Sequence, residues 1–471
     1  MRIKPCLYFL GLSCFPISIM SLINVFYTFY FGYLDNLMSY FLVLLVSSLT
    51  GLVFFKLGRT ERENINIYEQ LFLIFLVYFL ISFFISLPFY YSNYDISFIN
   101  SFFESISGLT GTGFTTFKYI KSLDEPLILW RSSSQWIGGF YFLIFLILIF
   151  SNKQINFKMV DLSFNLEKKI NFSSNLTNVA SRIFFIYSSL TVLIFFLFLI
   201  SGVRLFDSLN LTMTVISSGG FLPTDSLNDI IKNNFQSLLL CFAFLISILN
   251  FYLLYNVILG RDNLKEHGED VYILVLVLVF SMIFYFINDL NIFSVFINVL
   301  SSIGTSGISA RAVPGNFGLY FIILTLLGGS VLSTTSGIKF LRIYILVKAF
   351  FMEIYKLVKP NVMLNTKIMF SEKKVNTDNI KMSFLIFILF FLSLFILNSI
   401  LLADFLDFEN SFKLSILTLT NTAASNIYGI EEIHFSDLFT FSKISLIIFM
   451  VIAKVELMAI FVLARRIFFK D

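Results

Sequence analysis

Ten long apolar blocks decide what this chain can fold into. A helix needs ~20 apolar residues to cross ~30 Å of hydrocarbon. The blocks 7–31, 38–55, 71–90, 129–150, 183–200, 238–258, 272–287, 319–347, 384–402 and 444–463 come close to or exceed that length. They are continuous rather than alternating, which predicts spanning helices and not barrel strands. Only 13% of the residues are charged, against roughly 25% in soluble domains, so a soluble enzyme is excluded. The net charge of +4 reports basic loops beside a membrane and implies no nucleic acid. Arg2 and Lys4 precede the first block in the manner of a signal peptide. That block is too long and aromatic, with no small-residue cleavage site after it, so it reads as a true span. Cys6, Cys14 and Cys241 lie in apolar stretches without metal spacing, and His267 and His434 fall in loops, which leaves no metal centre.

Charge sets the orientation. Of the 33 Lys and Arg residues, 24 fall on one side, in the N-terminus, in the loops around Arg59, Lys168, Arg261 and Lys356–Lys381, and in the tail at Arg465, Arg466 and Lys470. Seven fall on the other side, and Arg131 and Lys454 are left as border or buried residues. The positive-inside rule then places both termini in the cytoplasm.

Between spans, always on the outer side, sit four apolar stretches too short to cross. They end in small residues: 107–113, 216–220, 303–307 and 420–425. Such segments suit re-entrant half-helices. The stretch 100–113 (NSFFESISGLTGTG) matches 410–423 (NSFKLSILTLTNTA) at eight of fourteen positions without a gap, and 207–220 and 294–307 fit the same register. Internal repetition of this kind reveals the architecture. The expected fold is an all-α integral membrane protein with four span–half-helix–span repeats around one central pore. Two extra helices (1–60) precede the repeats, which cover 61–152, 153–262, 263–360 and 361–471.

An irregular loop at membrane depth has to line a cavity or pore, because bare backbone cannot face lipid. Glycine there tolerates the conformations that turn carbonyls toward an axis, and carbonyl rings replace the water of an alkali cation. Half-helices running inward also point their negative carbonyl ends at the cavity. The loops hold no anionic or soft ligands, which argues against divalent and transition metals. Small residues also mediate close helix packing in membranes, but four loops in register favour a pore. The candidate filter is Thr110, Gly111, Thr112 and Gly113; Ser217, Ser218, Gly219 and Gly220; Gly304, Thr305, Ser306 and Gly307; and Asn421, Thr422 and Ala423. Glu104 and Asp207, near the half-helix starts, read as charges that stabilise helix N-termini, with cation attraction as the alternative. No convergent acid–base set lies within the spans, so no intramembrane enzyme is expected.

These residues resemble the Trk/Ktr/HKT superfamily of potassium transporters, most closely its TrkH-like bacterial branch. The resemblance covers nearly all of the chain beyond residue 60. It rests on Phe103–Gly108 running into Thr112-Gly113-Phe114, on Leu129-Trp130-Arg131 with Gln135–Gly139, on Ser218–Phe221, and on Gly328–Arg342. The family implies potassium uptake across a bacterial inner membrane, with potassium as the transported ion and no organic cofactor. It also implies a homodimer and a cytosolic nucleotide-binding regulatory subunit of the TrkA type. Loops 152–181 and 350–380, long and basic, are the expected docking surfaces, although positive-inside topology alone explains their charge.

A gate is expected below the filter. Gly328, Gly329, Ser330, Ser333, Thr334, Thr335, Ser336 and Gly337 form a small, polar break in an apolar block, which has to face an aqueous path; a glycine-rich kink is the alternative. Lys454 lies eleven residues from both Lys443 and Arg465, roughly 16 Å from each on a helix. A charge so deep costs at least ~2.5 kcal/mol. It should face the pore as a gate, or pair with an acid such as Glu456 on a neighbouring helix. Ala453–Glu456 is similar to the family's Gly-Arg-Leu-Glu, with lysine in place of the rigid arginine fork. In the fourth filter the family has Asn-x-Gly-Pro-Gly, whereas this chain has Asn421-Thr422-Ala423-Ala424-Ser425. A left-handed alanine costs on the order of 1 kcal/mol, so this quarter is expected to be distorted. A weakly selective potassium/sodium pathway and a non-conducting regulatory subunit are therefore the competing readings.

Overall fold

The computed structural model describes residues 3–59, 65–151, 176–258, 267–288, 291–310, 317–359, 366–369, 374–404, 406–430 and 433–455. Its sixteen α-helices are α1 (Ile3–Phe31), α2 (Leu37–Gly58), α3 (Ile67–Tyr90), α4 (Phe98–Thr110), α5 (Glu125–Ser151), α6 (Leu176–Ile200), α7 (Leu205–Ile216), α8 (Asn234–Ile248), α9 (Phe251–Ile258), α10 (Gly268–Ile287), α11 (Ile292–Ile303), α12 (Gly318–Leu327), α13 (Phe340–Val358), α14 (Thr377–Leu402), α15 (Phe408–Leu419) and α16 (Thr440–Val455). Seven helices are long and apolar enough to cross a membrane, or eight if the bent α8–α9 pair is one span.

The four short helices α4, α7, α11 and α15 each begin two residues before the repeat register set by residues 100, 207, 294 and 410. Each is flanked by spans, giving the units α3–α5, α6–α9, α10–α13 and α14–α16. Packing between units closes a circle: α5 lies on α7, α8 on α11, α12 on α15, and α16 returns to α4. The repeats therefore run in order around one axis, with the first opposite the third and the second opposite the fourth.

Local sequence explains the helix starts. Asn66 and Glu69 form a capping box on α3, and Asn233 and Gln236 form one on α8, which satisfies amide groups that an isolated helix end leaves open. The hairpin α1–α2 lies outside the circle against α3 and α5. Its helices approach closely at Gly11 and Gly51, where a Cβ on Gly51 would sit 3.1 Å from Cys14 Cβ, as small residues allow in membranes. Tyr27 donates to Glu125 at 2.7 Å and Asn36 to Asp124 at 2.9 Å, pinning the hairpin to the first repeat.

Two blocks are broken. The break expected within 319–347 occurs between Leu327 and Phe340. Block 238–258, expected as one straight span, instead bends by 108° between α8 and α9. The freed backbone is recaptured: Asn250 N donates to Asp270 Oδ1 at 2.9 Å, Tyr252 N to Asn250 Oδ1 at 2.9 Å, and Ser330 N to Ile248 O at 3.0 Å. A bend at membrane depth is possible because another part of the protein supplies each partner. The last block continues past Val455 into residues outside the described set, which include Glu456, Arg465 and Arg466.

Candidate ion pathway

Each short helix ends in the same turn. Thr112 N donates to Ser107 O at 2.9 Å, Gly219 N to Thr214 O at 2.8 Å, Ser306 N to Ser301 O at 2.9 Å, and Thr422 N to Leu417 O at 2.9 Å. These are the six-to-one bonds of a Schellman ending, which requires a left-handed residue one position earlier. Those residues are Gly111, Ser218, Thr305 and Asn421, with φ of 74°, 55°, 53° and 47°. Glycine and asparagine suit that conformation; serine and the β-branched threonine hold it at a cost. Surrounding bonds impose it. Thr305 Oγ1 accepts from Ser336 N at 2.9 Å, the Ser218 and Thr334 hydroxyls meet at 2.9 Å, and Asn421 Nδ2 donates to Thr112 Oγ1 and Met450 O, both at 3.0 Å.

The residues that close the register, Gly113, Gly220, Gly307 and Ala423, meet at the axis. A Cβ on Gly113 would lie 2.8 Å from Gly220 Cα and 3.0 Å from Ala423 Cβ, and one on Gly307 would lie 2.8 Å from Ala423 N. They alternate in conformation. Gly113 and Gly307 are left-handed, with φ of 78° and 71°, while Gly220 and Ala423 are not. The expected left-handed strain at Ala423 is therefore absent. The position that carries it in the fourth turn is Asn421, which tolerates it.

The alternation has a counterpart four residues into the register. There Glu104 Oε2 accepts from Thr116 N at 2.7 Å, and Asn298 Oδ1 accepts from Ala310 N at 3.0 Å. Both bonds tie the chain leaving the turn back to its own helix. The matching residues in the second and fourth repeats are Leu211 and Leu414, which have no atom to accept such a bond.

The interrupted segment 328–339 lies directly beneath these turns. Besides its bonds to Ser218 and Thr305, it receives Phe251 N at Leu332 O (2.8 Å), and Thr334 Oγ1 donates to Ser247 O at 3.2 Å. Gly328 opens it at φ 61° and ψ −176°, a region reserved for glycine. Lys339 closes it at φ 76°.

No family model matches the chain. It is 26% identical over 451 residues to an uncharacterized cation transporter of Methanocaldococcus jannaschii, covering 91% of this chain and 90% of that protein. It is 24% identical over 447 residues to the Trk system potassium uptake protein TrkH of Halomonas elongata, covering 89% and 90%. The crystal structure of the potassium transporter TrkH from Vibrio parahaemolyticus superposes with a TM-score of 0.85 at 20% identity, over 98% of each chain. The chain is TrkH-like. The names of its relatives are those of transporters and uptake proteins, not of enzymes.

In this TrkH-like chain Lys454 is buried, and its Nζ donates to Ser336 Oγ at 3.0 Å. The ammonium stands 4.3 Å from the Phe142 ring centroid, a cation–π contact, and 3.6 Å from where a Cβ on Gly111 would be. At the left-handed position of the first turn, which has no side chain, Lys454 takes the place that Ser218, Thr305 and Asn421 fill with their own. Below lies a cavity of about 30 Å³, bordered by Phe142, Ser336, Lys339, Arg342, Phe390 and Lys454 among others, enough for a water molecule. Lys339 Nζ donates to Ser330 O at 3.3 Å, Ser333 Oγ and Thr335 Oγ1 at 3.2 Å, and Thr335 O. This ammonium holds the interrupted segment folded on itself.

Glu104 corrects its expected role. It sits within α4, fully buried, with Arg131 Nε donating to its Oε1 at 2.9 Å. It is neither an N-terminal charge nor an exposed attractor. The Arg131 guanidinium also lies 4.1 Å from the Phe221 ring centroid, and so joins the first and second turns. Gln135 adds a second link, accepting from Phe221 N at 3.2 Å. Asp207 stands in the first turn of α7, as a charge stabilising an N-terminus should. The structural work of Lys339, Phe142 and Asn298 was missed at the sequence level, because each acts through a partner on another element or beyond its own turn.

Proposed function

We propose that the chain carries potassium into the cell through the axis of the four turns, with backbone carbonyls replacing the ion's water. The supporting observation is the convergence of four helix C-termini with the same Schellman ending on one axis. Each carries about −0.5 of a charge at its carbonyl end, so together they favour a dehydrated monovalent cation over an anion. The relatives named as potassium uptake proteins point to the same ion. Thr110–Gly113, Ser217–Gly220, Gly304–Gly307 and Asn421–Ala423 form the filter in this reading. Segment 328–337 with Lys454 forms the gate, because a fixed ammonium and a folded loop beneath a cation path both oppose passage. Uptake across a bacterial inner membrane with cytoplasmic termini, a homodimeric assembly and a TrkA-like cytosolic subunit complete the proposal, on the basis of charge distribution and family resemblance.

Rubidium flux into proteoliposomes of the purified protein, with sodium as competitor, tests it. Saturable rubidium entry that excess sodium barely inhibits is the expected result. Equal sodium entry would establish a weakly selective cation pathway, the second reading, which is motivated by the missing fourth glycine. No entry of either ion, with a TrkA-type partner supplied, would favour a non-conducting subunit.

A further inference from the structure

We propose that the methyl group of Ala423 closes the ion path at the mouth of the ring, so that in the state described here this one side chain blocks entry before an ion meets the gate. The proposal rests on the reading of the ring as an ion path.

The second and fourth repeats face each other across the axis. A Cβ on Gly220 would lie 3.5 Å from Ala423 Cα; adding one carbon–carbon bond of about 1.5 Å bounds the separation of the two Cα atoms at about 5 Å. A methyl built on Gly220 would overlap that of Ala423 outright, so the Ala423 methyl occupies the gap between the two backbones. Ligand oxygens lie 2.3–2.6 Å from calcium, which puts opposite ligands about 4.6–5.2 Å apart; potassium is larger. A span of that size between Cα atoms, already holding a carbon, has no space for an ion and its oxygens. The methyl group also offers no lone pair, and an apolar constriction excludes water as well as ions.

The register explains why the narrowing runs along this diagonal. Glu104 and Asn298 hold the chains leaving the first and third turns, and Gly113 and Gly307 are left-handed there. Leu211 and Leu414 provide no such tether in the second and fourth, whose closing residues Gly220 and Ala423 approach each other. The ring has room for one methyl, and a Cβ at any of the other three positions would meet a neighbour at 3.0 Å or less. Conduction therefore requires the fourth turn to move away from the second.

Two measurements on the full-length protein test this. The first is initial rubidium and sodium entry into proteoliposomes for wild type and Ala423→Gly. The variant should raise both rates about tenfold or more, equivalent to about 1.4 kcal/mol of barrier. The second pairs Gly220→Cys with Ala423→Cys, with Cys6, Cys14 and Cys241 replaced by alanine, and treats it with copper–phenanthroline. A Cα separation of about 5 Å falls in the 4.4–6.8 Å range of disulfides, so a 220–423 cross-link should appear by peptide mass spectrometry. Failure to cross-link overturns the proposal, and so do equal, non-zero fluxes in the two proteins; neither result touches the transport reading. No flux in either protein overturns both.

Discussion

Replacing Arg131 by methionine tests whether the buried ion pair beside the first turn is an energetic unit. Both side chains are at most 2% exposed, with Nε and Oε1 2.9 Å apart. The Glu104 carboxylate also accepts from Thr116 N at 2.7 Å and from the Thr115 and Thr116 hydroxyls at 3.1 and 3.2 Å. Without the guanidinium, those bonds alone compensate a buried charge, and losing one partner of such a pair costs about 3–5 kcal/mol. Methionine keeps a long apolar stem over the Phe221 ring, so the loss reports charge more than packing. The double change Glu104→Gln with Arg131→Met removes the need to bury a charge at all. It should cost at least about 2 kcal/mol less than the sum of the single changes. Unfolding by sodium dodecyl sulfate in mixed micelles, followed by the fluorescence of Trp130 and Trp136, provides the four free energies. Single changes that add to within about 0.5 kcal/mol would refute the reasoning and show that the loop amides alone hold Glu104.

Three further changes probe the other contacts. Lys454→Met removes a fixed charge about 8 Å from an ion in the ring, worth about 2 kcal/mol at an effective dielectric of 20; once the ring admits ions, rubidium flux in the Ala423→Gly background should rise about thirtyfold. Gly328→Ala forces a side chain into a glycine-only conformation and should lower stability by about 1–3 kcal/mol, read as a lower thermal midpoint in detergent. Asn298→Leu removes the tether to Ala310 N while keeping side-chain volume, and leaves a buried amide unpaired at a cost of about 1–3 kcal/mol. Faster hydrogen exchange confined to residues 305–310 would confirm the tether, and unchanged exchange there would refute it.

The architecture was legible because it repeats. The match of 100–113 with 410–423 fixed a register that all four half-helices keep, each starting two residues before it. The glycine-rich break at 328 was equally plain, since small polar residues in an apolar block have few other uses. The conformation of the turns was not. The left-handed position carries Gly, Ser, Thr and Asn in the four repeats, so no common residue type marks it, and the eye falls instead on the glycines two positions later. Block 238–258 hid its bend for a related reason. Asn250 is its one strong signal, and the residue that makes it a cap, Asp270, lies twenty positions away on another helix. Glu104 and Arg131 belong to different helices, and neither shows from spacing alone that the other neutralises it.

Fourfold pores made of identical subunits inherit every substitution four times over. Here one gene encodes all four quarters, and the closing position reads Gly, Gly, Gly, Ala. Evolution can therefore alter such a pore a quarter at a time, adding one methyl where a homotetramer would have to accept a ring of four. A lineage can narrow, retune or silence its channel through a single codon and return by the same step.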